Sequence, residues 1–175
     1  MRSFIWIIMF SAIAACSWDT APTVQSSPKT AVTKVRSAPP AVPTTVRQAT
    51  QLDSVAWVAA TIAQEQMGVP YQYGGATPGG FDCSGLVFYA YDQAGVRVPR
   101  TTGSLWSHAQ PVARHQLQPG DVLFFNFDGK PSHVGLYLGD DYFVHAPSTG
   151  RQVSRASLKS PFYAERLIRG GRLIH

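Results

Sequence analysis

The stretch Phe81 to Ala90, "FDCSGLVFYA", places one of only two cysteines in the 175-residue chain directly ahead of an apolar run. Asp82 in front of that run is a favoured helix N-cap and Gly95 beyond it a favoured stop, so a helix is predicted from Cys83 to Ala94. Cys83 then has two readings. Cysteine is often buried as inert apolar filler. A thiol at a helix start can instead become a nucleophile, because the helix N-terminus and a nearby imidazolium lower its pKa from about 8.5.

The segments on either side of this helix differ in periodicity. Upstream, Thr50 and Asp53 have capping-box spacing, and Val55, Ala56, Ala59, Ile62 and Ala63 follow at helical intervals until Gly68 and Pro70. A helix from Leu52 to Met67 is predicted, with a glycine- and proline-rich loop (VPYQYGGATPGGF) after it. A shorter helix is expected to begin after Thr101 or Thr102. Beyond Pro119-Gly120 the pattern changes to short β-branched and aromatic runs: Val122 to Phe127, His133 to Leu138, Tyr142 to Ala146 and Arg166 to Ile174. Helices followed by strands indicate an α+β fold, with the N-terminal helices packed on an antiparallel sheet.

The N-terminal third has a different composition. Residues 1–15 (MRSFIWIIMFSAIAA) have the basic start, apolar run and small-residue end of a signal peptide. Ile13-Ala14-Ala15-Cys16 resembles a bacterial lipobox, which implies acylation of Cys16; cleavage near Ala15 that leaves Cys16 a free thiol is the alternative. Residues 16–52 carry five prolines among Ser, Thr, Ala and Val with no aromatic after Trp18, and are read as a disordered tether to a domain spanning 53–175. Lipidation would consume Cys16 and leave Cys83 unpaired in an oxidising compartment. The expected location is the periplasmic face of a Gram-negative outer membrane, with the lipid as anchor.

Charge narrows the partners. The formal net charge is +5, yet residues 53–175 hold 10 basic and 9 acidic side chains. Nucleic-acid binding needs a basic face on the folded part, so none is expected.

Of the five histidines, His108, His115 and His175 fall in polar or terminal positions, whereas His133 and His145 fall inside strands. In an antiparallel hairpin these two share a face only if the connecting loop is odd in length, and Gly139-Asp140-Asp141 supplies such a loop. Gly135 then lies opposite His145, and the histidines become diagonal neighbours. Such a pair fits a thiol, a base and an orienting group. A zinc site built from Cys83, His133 and His145 is the competing chemistry, although no CxxC or HExxH accompanies it.

The segments PYQYGG (70–75), FDCSGLV (81–87), PRTT (99–102), LQPGDVLFF (117–125), SHVGLYLG (132–139) and FVHAPSTG (143–150) together resemble the NlpC/P60 cell-wall peptidases. The resemblance implies a papain-like fold and hydrolysis of peptidoglycan stem peptides, with Cys83 as nucleophile, His133 as base and His145 as the third polar residue. The bond expected first is D-glutamate to meso-diaminopimelate, and second the D-alanine to diaminopimelate cross-link. Tyr71 is implied beside the nucleophile as an oxyanion donor, or alternatively as loop packing; Ser84 is implied as a substrate-side residue, or alternatively as a cap. Tyr73 stands where many members have Trp. Arg100, Arg114 and Arg151 are candidates for substrate carboxylates or for solvated surface. No metal or cofactor is required, and a monomer is expected. A catalytically silent peptidoglycan-binding module on the same fold is the rival reading.

Overall fold

The computed structural model describes the backbone of residues 44–173 and the side-chain surroundings of residues 55–173. In chain order the elements are α1 (Thr44–Glu65), β1 (Ala76–Thr77), β2 (Gly80–Phe81), α2 (Cys83–Gln93), α3 (Thr102–His108), β3 (Gln110–Val112), a 3-10 turn (Arg114–Gln116), β4 (Val122–Asn126), β5 (Pro131–Gly139), β6 (Tyr142–His145), β7 (Ser154–Ser157), α4 (Pro161–Ala164) and β8 (Leu167–Arg172). The main sheet is antiparallel with order β3-β8-β4-β5-β6-β7. This is the expected α+β arrangement, with helices preceding the large sheet.

The start of the first helix differs most from expectation. Helix α1 begins at Thr44 rather than Leu52, within the segment read as tether. Its sequence from Thr44 to Thr50 contains no proline or glycine, so nothing in the backbone chemistry stops the helix from running further back. The signal-peptide, lipobox and remaining tether readings lie outside the described residues. Among the described residues, no helix is long and apolar enough to cross a membrane.

Strand alternation builds two cores. Val122, Phe124, Val134, Leu136 and Val144 point one way and pack with Leu86, Val87, Ala90 and Tyr91 of α2, Leu105 of α3, and Ala59 and Ala63 of α1. Leu123, Phe125, Tyr137 and Phe143 point the other way and enclose a smaller cluster with Leu158. His133 shares its parity with Tyr137, and His145 with Phe143, so both histidines belong to this second, aromatic face.

The β5-β6 hairpin reaches the expected phase by a different route. The connection is a two-residue turn, Asp140-Asp141, with φ of 51° and 62°, and Gly139 pairs with Tyr142. A two-residue turn alone would set the two histidines on opposite faces. A register shift between Tyr137 and Gly139 adds one residue, Leu138, and restores the pairs Leu136 with Val144 and Tyr137 with Phe143. One step further, Gly135 faces His145. A Cβ on Gly135 would lie 2.7 Å from Phe143 Cδ2, 2.9 Å from Val144 O and 3.3 Å from His145 Cβ. The glycine therefore lets β6 and its ring-bearing residues close on β5.

Candidate active site

Helix α2 starts where the sequence predicts. The Asp82 carboxylate accepts from the Gly85 N–H at 2.6 Å as N-cap and from the Gly74 N–H at 3.0 Å. Arg100 donates to Asp82 Oδ1 at 2.9 Å and Oδ2 at 2.8 Å, to Ser84 Oγ at 3.0 Å and to the Gly75 carbonyl at 3.0 Å. These bonds hold the Asp82 carboxyl below its ordinary value, although its burial pulls the other way. Gly85 is required for the same closure, because a Cβ there would overlap the Gly75 carbonyl oxygen. At the far end of α2, Tyr91 Oη donates to the Gly120 carbonyl at 2.9 Å and ties the helix to the turn before β4. The start of α2 is thus fixed by a charged clamp from Arg100, which follows the helix, and by Gly74 and Gly75 of the loop carrying Tyr71.

Cys83 is half-buried and free. Its Sγ lies 3.9 Å from Thr102 Oγ1, and the backbone of Val134 and Ser84 favours its charged form. It shares a cleft of about 530 Å³ with Tyr71, Tyr73, Asp82, Ser84, Arg100 and Ser132. Tyr71 keeps its proton, since burial and then the charges of Cys83 and Asp82 push its pKa up. That leaves a phenol available as a donor beside the thiol. Ser84 stands differently: its hydroxyl donates to Asp82 Oδ1 at 3.1 Å and accepts from Arg100, so its side chain serves the cap while its backbone serves the thiol.

The strands bring His133 and His145 together, with Nε2 of the first 2.8 Å from Nδ1 of the second. Both are buried, at 7% and 2% exposure. Their rings meet edge to face at 81°, and Phe125, Phe127 and Phe143 pack around them. Val134, whose backbone meets the thiol, directly follows His133. A second recess, of about 370 Å³, is lined by His133, His145, Arg151, Phe127, Phe162 and Tyr163, and Ser132 lines both recesses.

The electrostatics differ from the expected imidazolium-assisted thiol. Burial pushes the Cys83 thiol up, against the opposing influence of the Val134 backbone, Thr102 and the Ser84 backbone. Burial pushes His133 down to about 4, and burial with the nearby His133 and Arg151 pushes His145 down to about 3. At neutral pH the site therefore holds a neutral thiol and two neutral imidazoles. Low-dielectric surroundings disfavour a separated ion pair between the thiol and an imidazole.

Zinc chemistry fits this geometry poorly. The two histidines direct nitrogens at each other, and among the described residues no group of three His, Cys, Asp or Glu side chains is placed to hold a metal ion. Of the arginines, Arg100 is held by Asp82, Arg114 pairs with Asp141 at 3.3 Å, and Arg151 lines the second recess. His108 and His115 are exposed, as their polar surroundings imply. Tyr163 was not identified from sequence. Its hydroxyl lies 3.3 Å from His145 Nε2. The Ser160-Pro161 pair marks the start of its short helix, but no local signal reveals which residue the hydroxyl meets.

Comparison with known proteins gives this geometry relatives. The profile of the NlpC/P60 family matches residues 68–172. A Mycobacterium tuberculosis protein named "Probable endopeptidase Rv2190c" is 48% identical over 106 residues, covering 59% of this chain and 27% of the relative. The Escherichia coli "Murein DD-endopeptidase MepH" is 37% identical over 123 residues, covering 67% and 45%. A crystal structure of an NlpC/P60 family protein from Bacillus cereus superimposes with a TM-score of 0.64 at 33% identity, covering 69% of this chain and 40% of that one. The chain thus spans about a quarter to a half of the length of these curated relatives. The matched region contains Cys83, His133 and His145 within the papain-like α+β fold, and the chain belongs to the NlpC/P60 family.

Proposed function

We propose that the chain is a cysteine endopeptidase that hydrolyses stem peptides of peptidoglycan during cell-wall remodelling. The observation carrying this reading is the Cys83 thiol at the start of α2, whose charged form the backbone of Val134 favours, together with the 2.8 Å contact between His145 and His133, the residue before Val134. His133 Nε2 faces His145, which leaves Nδ1 to exchange a proton with the thiol. Cys83 Sγ attacks the scissile carbonyl as His133 takes the thiol proton. The oxyanion is met by backbone N–H at the helix start and by the Tyr71 hydroxyl. Collapse passes the proton from His133 to the departing amine and leaves a thioester on Cys83. His133 then deprotonates water, which attacks the thioester, releases the new carboxylate and restores the thiol. His145 orients His133 throughout.

Two bonds fit, D-glutamate to meso-diaminopimelate and the D-alanine to diaminopimelate cross-link. The name of the Escherichia coli relative favours the second, a bond between two D-centres. Mass spectrometry of defined cross-linked and uncross-linked muropeptides treated with the protein distinguishes them. Cleavage only of cross-linked dimers selects the D-alanine bond, and tetrapeptide monomers split after D-glutamate select the other. Intact substrates would instead support the silent binding module. We further propose anchoring through an acylated Cys16 at a Gram-negative outer membrane, a reading supported by Ile13-Ala14-Ala15-Cys16. Cys16→Ala should release the protein from the membrane fraction, and unchanged retention would remove that reading.

A further inference from the structure

We infer that Tyr163 is a positioning residue for the hydrolytic centre: its hydroxyl oxygen accepts a hydrogen bond from His145 Nε2 and thereby sets the tautomers of both histidines.

The argument follows from counting protons. A neutral imidazole carries one N–H, so donor and acceptor roles alternate along a chain of rings. For His133 to accept a proton at Nδ1, its own hydrogen must sit on Nε2 and be donated to His145 Nδ1, 2.8 Å away. His145 must then carry its hydrogen on Nε2. That nitrogen belongs to a residue only 2% exposed, and its recorded partner is Tyr163 Oη at 3.3 Å. If Tyr163 instead donated to His145 Nε2, the order would reverse. His145 would donate to His133 Nε2, and His133 would already hold a hydrogen on Nδ1, where it could take no proton. The direction of this one hydrogen bond therefore separates a competent base from an incompetent one.

The fold fixes Tyr163 for this purpose. Its ring is edge-on to His145 at 5.3 Å and 88°, and to Phe143 at 5.0 Å and 84°, with Phe125 and Phe162 closing the remaining sides at 5.7 Å and 4.9 Å. Tyr163 also lines the recess shared with His133, Ser148 and Arg151. Arg151 is the charged side chain acting on both His145 and Tyr163. Burial keeps the phenol protonated. When His133 becomes an imidazolium during attack, the aligned dipoles of His145 and Tyr163 stabilise its charge.

This inference rests on the hydrolase reading for its kinetic consequence but not for its structural one. Tyr163→Phe keeps the ring and its four aromatic contacts and removes only the oxygen. Histidine 15N NMR of the full chain without substrate should show His145 as the Nε2–H tautomer in the parent, and a mixture or the Nδ1–H tautomer in Tyr163→Phe. With muropeptide, kcat should fall about 3- to 10-fold at unchanged KM, the factor corresponding to one net hydrogen bond. An unchanged tautomer spectrum, or an unchanged kcat in a variant of parental melting temperature, would overturn the inference. If neither protein cleaves muropeptides but the tautomer change is present, the hydrolase reading fails and the positioning role stands.

Discussion

Gly135→Ala probes the contact that lets the two histidines meet. The new Cβ would lie 2.7 Å from Phe143 Cδ2 and 2.9 Å from Val144 O. Carbon atoms rest at about 3.5 to 4.0 Å, so Phe143 must retreat by about 1 Å. Its ring has little freedom to do so, being tilted against Phe125 at 5.1 Å and edge-to-face with Tyr163 at 5.0 Å. The carbonyl of Val144 is backbone, so relief requires β6 to move away from β5 and to carry His145 with it. Overpacking of this kind costs about 1 to 3 kcal/mol, offset by less than about 1 kcal/mol from the stiffer unfolded chain. A net loss of about 1 to 2 kcal/mol is expected in urea unfolding. Under the proposed function activity should suffer more, because a displacement near 1 Å of His145 against His133 is worth about 100-fold. Gly103→Ala is the control: it lies in α3, where a Cβ meets nothing within 4 Å, and should be neutral or slightly stabilising. Parental stability and parental turnover in Gly135→Ala would refute the reasoning.

Acid should weaken the fold before it protonates the carboxylates. In the unfolded chain His133 titrates at its ordinary 6.5, whereas burial holds it at about 4 in the folded state. The unfolded chain therefore binds the extra proton, so stability is complete above pH 6.5 and falls between there and about 4, by about 3 kcal/mol for this residue. Urea midpoints that stay flat from pH 7 to 4.5 would contradict the burial argument. Asp82→Ala removes the α2 cap and leaves Arg100 without its carboxylate; since Arg100 is 32% exposed, water recovers part of the loss and about 2 to 3 kcal/mol is expected. Asp82→Asn, which keeps a capping oxygen, should lose about half as much in the same unfolding assay.

Much of the site was legible because it depends on short-range rules. An aspartate before an apolar run caps α2 wherever the helix finally packs, so Cys83 could be placed at a helix start. Period-two alternation made the shared face of His133 and His145 a question of loop parity. The answer was correct in phase, but its cause was not visible: Asp140 and Asp141 make a two-residue turn, and the Leu138 bulge compensates for it. What escaped depends on non-local packing. Strand β7, Ser154–Ser157, is polar and short, and β3 contains Pro111; neither carries a hydrophobic signature. The insertion of β8 between β3 and β4 follows from the sheet as a whole. Tyr163 reaches His145 across 18 residues of sequence, and only the aromatic cluster aims it there. The thiol's electrostatics escaped for a similar reason, since burial outweighs the helix-start position.

The most direct measurement of the central claim compares the parent with Cys83→Ala on purified muropeptides, with fragments read by mass spectrometry and folding checked by circular dichroism. Cleavage by the parent, none by Cys83→Ala, and matching spectra are expected. Continued cleavage by correctly folded Cys83→Ala would contradict it.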